Sequence, residues 1–504
     1  MQLDSDISHR ENLLSQLNLS FEKNAEKIAV SQATGQITYH ELGKLSKKIH
    51  DAISYASSKN PVNGTIGVLL GRSANAYATM IASVRLGITY VPLNTSYPLT
   101  RLKEIANQAN VSIIVYDESS RSIAEKFDEN IVVLSCEKFH AIKDDGYGRD
   151  SKVGDIAYQL YTSGSTGRPK GVPITYGNLV SFLDNISKVI KYKSDDICSQ
   201  VCELSFDVSV QEIFLALLNG CTLCPASPID LFNPADFIKR NAISVWTAVP
   251  SLSRVLLKNG QNYNGALDNL RLSIFNGEAL TAGIAEQWLE AAPHTILWNT
   301  YGPTECTVAV TAMSWKNETE LTENGILSIG KPLANCTTAL LIEDKIIATD
   351  DAQEGCSGEL LLSTPQQFDG YSTPGVASPF IECANGTKYY CSGDFVLWRD
   401  STIFYLGRLD TQVKIGGHRI ELYEIEHSLR AFYHTNQLAV VAYPPQLPTE
   451  LVLFVDDAAG HPSPGDDTHG LPAYMIPQRT IKLEKFPLSS HGKLDRNALL
   501  SLIT

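Results

Sequence analysis

The chain has 504 residues, 43% of them apolar and 19% charged, with a formal net charge of −14 at pH 7. Such a length can bury more than one core and fits about two to four domains. The composition excludes a collagen, a disordered tail protein and a disulfide-stapled miniature scaffold, and the acidic balance argues against non-specific binding to nucleic acid or an anionic lipid surface.

No run reaches about 18 uninterrupted apolar residues, so no membrane span is expected. The stretch from Ala78 to Leu93 comes nearest, and Arg85 and Gly87 interrupt it. The start, Met1-Gln-Leu-Asp-Ser-Asp6, lacks the basic and apolar regions of a secretion signal. The chain has 10 cysteines; the tight spacings are Cys198 to Cys202 and Cys221 to Cys224, with no second pair at metal spacing, so they read as core filling. These features together predict a reduced, cytoplasmic protein.

In chain order, Thr65–Leu70 reads as a strand, Ala74–Leu86 as a helix, and Ile113–Tyr116 and Asp155–Tyr161 as strands, the last leading into a glycine-rich loop. Thr175 is placed to cap a helix whose apolar face is Leu179, Phe182, Ile186 and Val189. Asp394 to Asp410 reads as strand, turn, strand, followed by a block of mixed charge from Lys414 to Glu426. The tail to Thr504 is long enough for a small unit of its own and contains a polar, Pro/Gly-rich loop, Asp456–Gly470. Alternation of this kind predicts an α/β fold with a large N-terminal domain of layered, mostly parallel sheets and helices, and a small C-terminal α+β domain.

The most informative segment is Tyr161-Thr-Ser-Gly-Ser-Thr-Gly-Arg-Pro-Lys-Gly171. Its glycines let backbone N–H groups turn inward, while Thr162, Ser163, Ser165 and Thr166 add hydroxyls and Lys170 a positive charge. Together they make a concavity suited to phosphate oxygens. The loop is not a Walker A loop: the Gly-Lys-Ser/Thr ending is absent and Pro169 opposes a helix starting there.

This loop resembles the signature of the adenylate-forming superfamily, which includes acyl-CoA synthetases, luciferases and the adenylation domains of non-ribosomal peptide synthetases. Further stretches resemble that family in the expected order: Leu86–Pro98, Leu204–Val210, Asn276–Ala279, Asn299–Glu305, Tyr390–Asp394, Gly407–Glu421, Leu471–Pro477 and His491–Asp495. The resemblance implies two half-reactions: a carboxylate attacks the α-phosphate of ATP to give an acyl-adenylate and pyrophosphate, then a thiol displaces AMP. It implies that Thr162, Ser163, Gly164, Ser165, Thr166 and Lys170 hold phosphates. Glu305, with Thr304 beside it, is implied to hold Mg²⁺. Gly277, Glu278 and Tyr301 are implied to flank the adenine, and Asp394 and Arg408 to bind the ribose. Lys493 is implied to bridge the substrate carboxylate and the α-phosphate. Asp410 matches the family hinge and divides the chain into 1–409 and 410–504. About it a mobile small domain swings between a pose presenting Lys493 and one presenting Lys414 to Gly417.

Asp207 matches the aspartate that pairs with the substrate α-ammonium in the amino-acid-activating branch. Pocket positions carried over by the resemblance are Val208, Gln211, Thr247, Ile274, Asn276, Thr300, Val308 and Ala309, none charged, which suits a small neutral side chain. Val245–Thr247, Asn299–Glu305 and Val308-Ala309 are similar to D-alanine–carrier-protein ligases, whereas Asp207-Val208 with Gln211 is similar to proline-activating domains. Glycine, alanine and proline form the shortlist. The thiol expected is the phosphopantetheine arm of a separate carrier protein. An acyl- or aryl-CoA synthetase of the same fold, and a non-catalytic AMP-binding descendant, remain as alternatives. The interval from Glu421 to Leu471 is short for the family, so that Asp456–Gly470 stands where a helix of the small domain is expected.

Overall fold

A computed structural model of the chain describes residues 2–59, 64–141, 154–164, 168–258, 267–316, 321–383, 386–433, 435, 437–456, 470–487 and 494–503. The β-branched runs become strands covered on both faces: Ile113–Tyr116 is buried at every position and Thr65–Leu69 at all but its first. That pattern belongs inside a parallel sheet sandwiched by helices. They lie in a six-stranded sheet ordered Val132–Ser135, Ile113–Tyr116, Thr65–Leu69, Thr89–Pro92, Ile156–Thr162, Lys170–Thr175. Its pairings are parallel up to the last, which is antiparallel and brackets the glycine-rich loop.

Local signals set the helices. Ser73 caps Ala74–Leu86 by accepting from the Ala76 N–H, and Gly87, at φ 66°, ends it in the left-handed region that glycine enters without penalty. Thr175 and Asn178 form a reciprocal capping box at the start of Tyr176–Val189. Leu179, Phe182 and Ile186 of that helix are buried as expected, but Val189 is 37% exposed. The chain turns extended at Ile190, whose side chain enters the core in place of Val189.

A nine-stranded sheet runs Lys331–Pro332, Thr311–Trp315, Ile296–Tyr301, Leu272–Phe275, Val245–Ala248, Ile197–Gln200, Thr222–Pro225, Ile28–Gln32, Gly35–Thr38. Its central pairings, from Ile296–Tyr301 to Ile28–Gln32, are parallel. Cys221 and Cys224 flank and join this sheet as buried core residues, and all the cysteines are free thiols. A third, antiparallel sheet contains the expected strand, turn and strand as Lys388–Arg399 and Thr402–Arg408, the first beginning earlier than the sequence indicates.

Beyond Asp410 come a hairpin, Gln412–Ile415 with His418–Glu421, the helix Leu422–Tyr433, and a sheet of Leu438–Tyr443, Glu450–Asp456 and Arg479–Leu483. Ile420, Ile425 and Leu429 pack on Val440, Leu453 and Met475 in a core that draws on no residue before Val413. Most of the Asp456–Gly470 loop lies outside the described residues. Among the described residues, no helix is long and apolar enough to cross a membrane.

Candidate active site

The phosphate-type loop leaves its sheet at Thr162, directly opposite Lys170, where the chain returns. A Cβ on Gly164 would meet the Arg168 carbonyl oxygen at 2.1 Å, so glycine is required for the turn to close. The Thr162 hydroxyl is buried without a hydrogen-bond partner, an unused polar group at the head of the loop. Ser165 and Thr166 lie outside the described residues.

Facing this loop is a 3-10 turn, Thr304–Cys306, which carries Glu305 fully buried. The turn is costly: Thr307 and Val308 have φ of 54° and 69°, a region that β-branched residues avoid. Gln366 holds it, donating to the carbonyls of Cys306 at 3.0 Å and Ala309 at 2.6 Å. Arg419 Nη1 bridges both Glu305 oxygens at 2.9 and 2.6 Å, and the Tyr371 hydroxyl donates to Oε1 at 2.7 Å. Burial opposes the charge on Glu305, but Arg419 and the Tyr371 hydroxyl outweigh it and hold its carboxyl below the usual range. A buried carboxylate kept ionised, already seated against a cation and next to a threonine hydroxyl, is an oxygen donor set that fits Mg²⁺. That ion typically takes one or two protein carboxylates and fills its shell from phosphates and water. No group of three His, Cys, Asp or Glu gathers for a metal among the described residues.

Asp394 and Arg408 sit opposite each other in register and pair at 2.7 Å. Tyr301 donates its hydroxyl to the second Asp394 oxygen. Arg408 also forks onto Asp410, with both bonds at 2.7 Å, so Asp410 is ion-paired and held below the usual carboxyl range. Gly277 has φ 85° and lines the cavity with Asn276. Glu278 is directed elsewhere: its carboxylate accepts from the Gly417 N–H at 2.7 Å and the Ser251 N–H at 2.8 Å.

Asp207 lies just before the helix Val208–Leu218 without capping it, and faces the same cavity. Burial pushes its carboxyl up to about 6, offset by the Thr304 hydroxyl and the Lys414 ammonium. Val208, Gln211, Thr247, Ile274, Asn276, Thr300, Val308 and Ala309 are all buried. Sheet register sets Thr247 opposite Ile274, and the Asn276 amide donates to the Thr300 hydroxyl at 3.0 Å. Val208, Ile274, Val308 and Ala309 belong to one packed cluster. Both amide atoms of Gln211 are buried without a partner.

The C-terminal hairpin closes over this arrangement. Lys414, Gly417 and Arg419 line the cavity beside Asp207, Asp394 and Arg408, leaving about 50 Å³. Lys414 is half-buried, loss of solvation lowers its pKa, and its ammonium lies 5.9 Å from the Tyr301 ring centre. Ser163 donates to the Arg419 carbonyl at 2.8 Å, and the Gly164 N–H donates to Glu424 at 2.9 Å. Glu424 is fully buried and also pairs with the buried Arg101. His418 stacks on Tyr474 at 3.8 Å and meets the edge of Phe206 at 4.9 Å. Lys170 reaches only the margin, 3.9 Å from Glu421. Lys493 lies outside the described residues.

Arg419, Glu424, Arg101, Tyr371 and Gln366 were not singled out by sequence reasoning. Arg419 stands inside a motif that was recognised, so its charge beside two glycines was a usable signal. Nothing local marks Tyr371 or Gln366.

Comparison with known proteins places the chain among relatives of one family. The chain is 29% identical to a D-alanine--D-alanyl carrier protein ligase of Bacillus cytotoxicus over 98% of its length and 99% of that protein. It is 30% identical to tyrocidine synthase 1 of Brevibacillus parabrevis over 95% of its length, spanning 44% of that protein. The fold matches the crystal structure of the Vibrio cholerae adenylation domain AlmE in complex with glycyl-adenosine-5'-phosphate. The TM-score is 0.86 at 27% identity, covering 98% of this chain and 97% of that one. The family model described as AMP-binding enzyme matches residues 17–372, and the chain belongs to that family.

Proposed function

We propose that the protein activates a small neutral amino acid with ATP and passes it to the phosphopantetheine thiol of a separate carrier protein. The observation that carries this reading is Asp207: a carboxylate only partly offset by Lys414 and the Thr304 hydroxyl, on the wall of the cavity that also holds Asp394, Arg408 and the Glu305 turn. It offers the counter-ion an α-ammonium needs, while the uncharged pocket positions leave a larger ionic side chain without a partner. The names of the relatives, a carrier-protein ligase and a peptide synthase, and the glycyl-adenylate in the AlmE structure support the same reading.

In the first step an oxygen of the amino-acid carboxylate bonds to the α-phosphorus of ATP as the bond to pyrophosphate breaks. Thr162, Ser163, Gly164 and Lys170 bind the departing phosphates, and Glu305 holds Mg²⁺, which neutralises charge there when bound. Asp394 and Arg408 receive the ribose, and Lys493 lies between the carboxylate and the α-phosphate. In the second step the thiol sulfur bonds to the acyl carbon, and the carbon–oxygen bond to AMP breaks.

The small domain, 410–504, turns about Asp410 between the two steps. In support, the docked hairpin and the helix after it occupy the nucleotide-handling groups with their own ions: Arg419 on Glu305 and Glu424 on the Gly164 N–H. A phosphate or a metal cannot share those atoms with them, so ATP requires the hairpin to withdraw. The docked arrangement instead brings Gly416 and Gly417 to the site, as the thiol step requires.

ATP–pyrophosphate exchange tests this reading, using glycine, proline and both enantiomers of alanine against fatty and aromatic acids. Exchange supported by one of the small amino acids is expected. Exchange driven by a fatty or aromatic acid would make the protein a CoA synthetase of the same fold, and none with any acid a non-catalytic AMP-binding descendant.

A further inference from the structure

We propose that Tyr371 is the positioning residue of the Glu305 carboxylate, fixing it for the metal-dependent half-reaction; this rests on the adenylation reading above. The Tyr371 hydroxyl donates to Glu305 Oε1 at 2.7 Å. Its ring meets the edge of Phe368 at 5.0 Å, and the Lys170 ammonium lies 5.6 Å from the ring centre.

The backbone around Tyr371 is tied on both sides. The Phe368 N–H donates to the Glu305 carbonyl at 2.8 Å. The Ser372 N–H donates to the Gly171 carbonyl, and the Gly171 N–H to the Thr373 hydroxyl, each at 2.9 Å. One short segment therefore joins the Glu305 turn to the strand leaving the phosphate-type loop.

The two partners of Glu305 differ in what happens to them. Arg419 belongs to the hairpin and leaves with it, whereas Tyr371 belongs to the N-terminal part and stays. Once Arg419 is gone, the phenol is the side-chain group that keeps one carboxylate lone pair engaged and the other oxygen facing the site. A residue oriented this way loses metal affinity when its partner is removed. The half-reaction carried out with Arg419 back in place should not register the change.

Tyr371→Phe, Glu305→Gln and the double variant separate these roles. Phenylalanine keeps the ring and its Phe368 contact, and thermal unfolding followed by circular dichroism checks that each variant folds. Mn²⁺ binding in the presence of α,β-methylene-ATP is read by electron paramagnetic resonance. Tyr371→Phe should weaken Mn²⁺ about tenfold and raise the KM for MgATP in exchange more than it lowers kcat. Aminoacyl transfer from supplied aminoacyl-adenylate should stay near wild type, and in the Glu305→Gln background the second change should add nothing. Wild-type Mn²⁺ affinity in Tyr371→Phe, an equal loss in both half-reactions, or an effect persisting in the Glu305→Gln background would overturn the proposal. A wild-type protein without acid-dependent exchange would sink the adenylation reading instead, and the Mn²⁺ titration would still decide the role of Tyr371.

Discussion

The expected pocket positions and the face that meets the C-terminal hairpin are built from opposite materials. Those positions are uncharged and buried: Thr247 and Ile274 are fixed by strand register, and the Ala309 carbonyl by the Gln366 clamp. The hairpin face is ionic: Arg101 with Glu424, Arg419 with Glu305, and N–H groups of Gly164 and Gly417 on carboxylates. Apolar packing of a wall resists separation in proportion to the area buried. A buried ion pair contributes little net stability because desolvation offsets its Coulomb attraction, although breaking it one-sidedly costs about 3–5 kcal/mol. A face of the second kind can part and re-form if incoming charges replace the departing ones, as a nucleotide and its metal do. Under the proposed function, the pocket stays and the hairpin face exchanges partners.

The largest effect expected is at Lys493. Lys493→Ala should reduce pyrophosphate exchange about 10²–10³-fold or to background, while thiol transfer from supplied adenylate is largely spared. Parallel losses in both would erase the distinction between a fixed pocket and an exchanging face. Next is the pocket itself. Asp207→Asn should raise the KM of the amino acid about 100-fold, the loss of a pair worth about 2–3 kcal/mol. Because burial puts the Asp207 carboxyl at about 6, it protonates as pH falls through that value and releases the ammonium. The wild-type KM should therefore rise below pH 6, and in the asparagine variant this rise should vanish. Smaller still is the hairpin latch. Glu424→Gln removes the charge facing Arg101 and the Gly164 N–H, so stopped-flow thioester formation should slow about tenfold if the docked pose loses ~1.4 kcal/mol, with exchange kept. Slowed exchange and unaffected transfer would reverse the assignment of the latch.

Much of the fold was legible because its signals are local. Ser73 and Thr175 sit where the caps form, and the glycines and hydroxyls between Thr162 and Lys170 mark a tight polar loop wherever they occur. Val189 misled because helical periodicity does not say that the chain will turn extended one residue later, giving the core position to Ile190. Gly164 and Glu305 were legible through their motifs, yet their partners Glu424 and Tyr371 were not. Glu424 is 260 residues from Gly164, and Tyr371 is 66 from Glu305. Nothing in a linear pattern ties such partners, since they meet only after separate sheets have packed. Glu278 likewise has partners its motif does not announce, the backbone N–H groups of Gly417 in the hairpin and of Ser251.

The most direct test of the whole account is to trap the activated acid. The protein is incubated with ATP, Mg²⁺, hydroxylamine and a mixture of amino, fatty and aryl acids, and the hydroxamates are identified by mass spectrometry. The account predicts an ATP-dependent hydroxamate of one small neutral amino acid, lost in Asp207→Asn. A fatty or aryl hydroxamate, or an amino-acid product indifferent to residue 207, would contradict it.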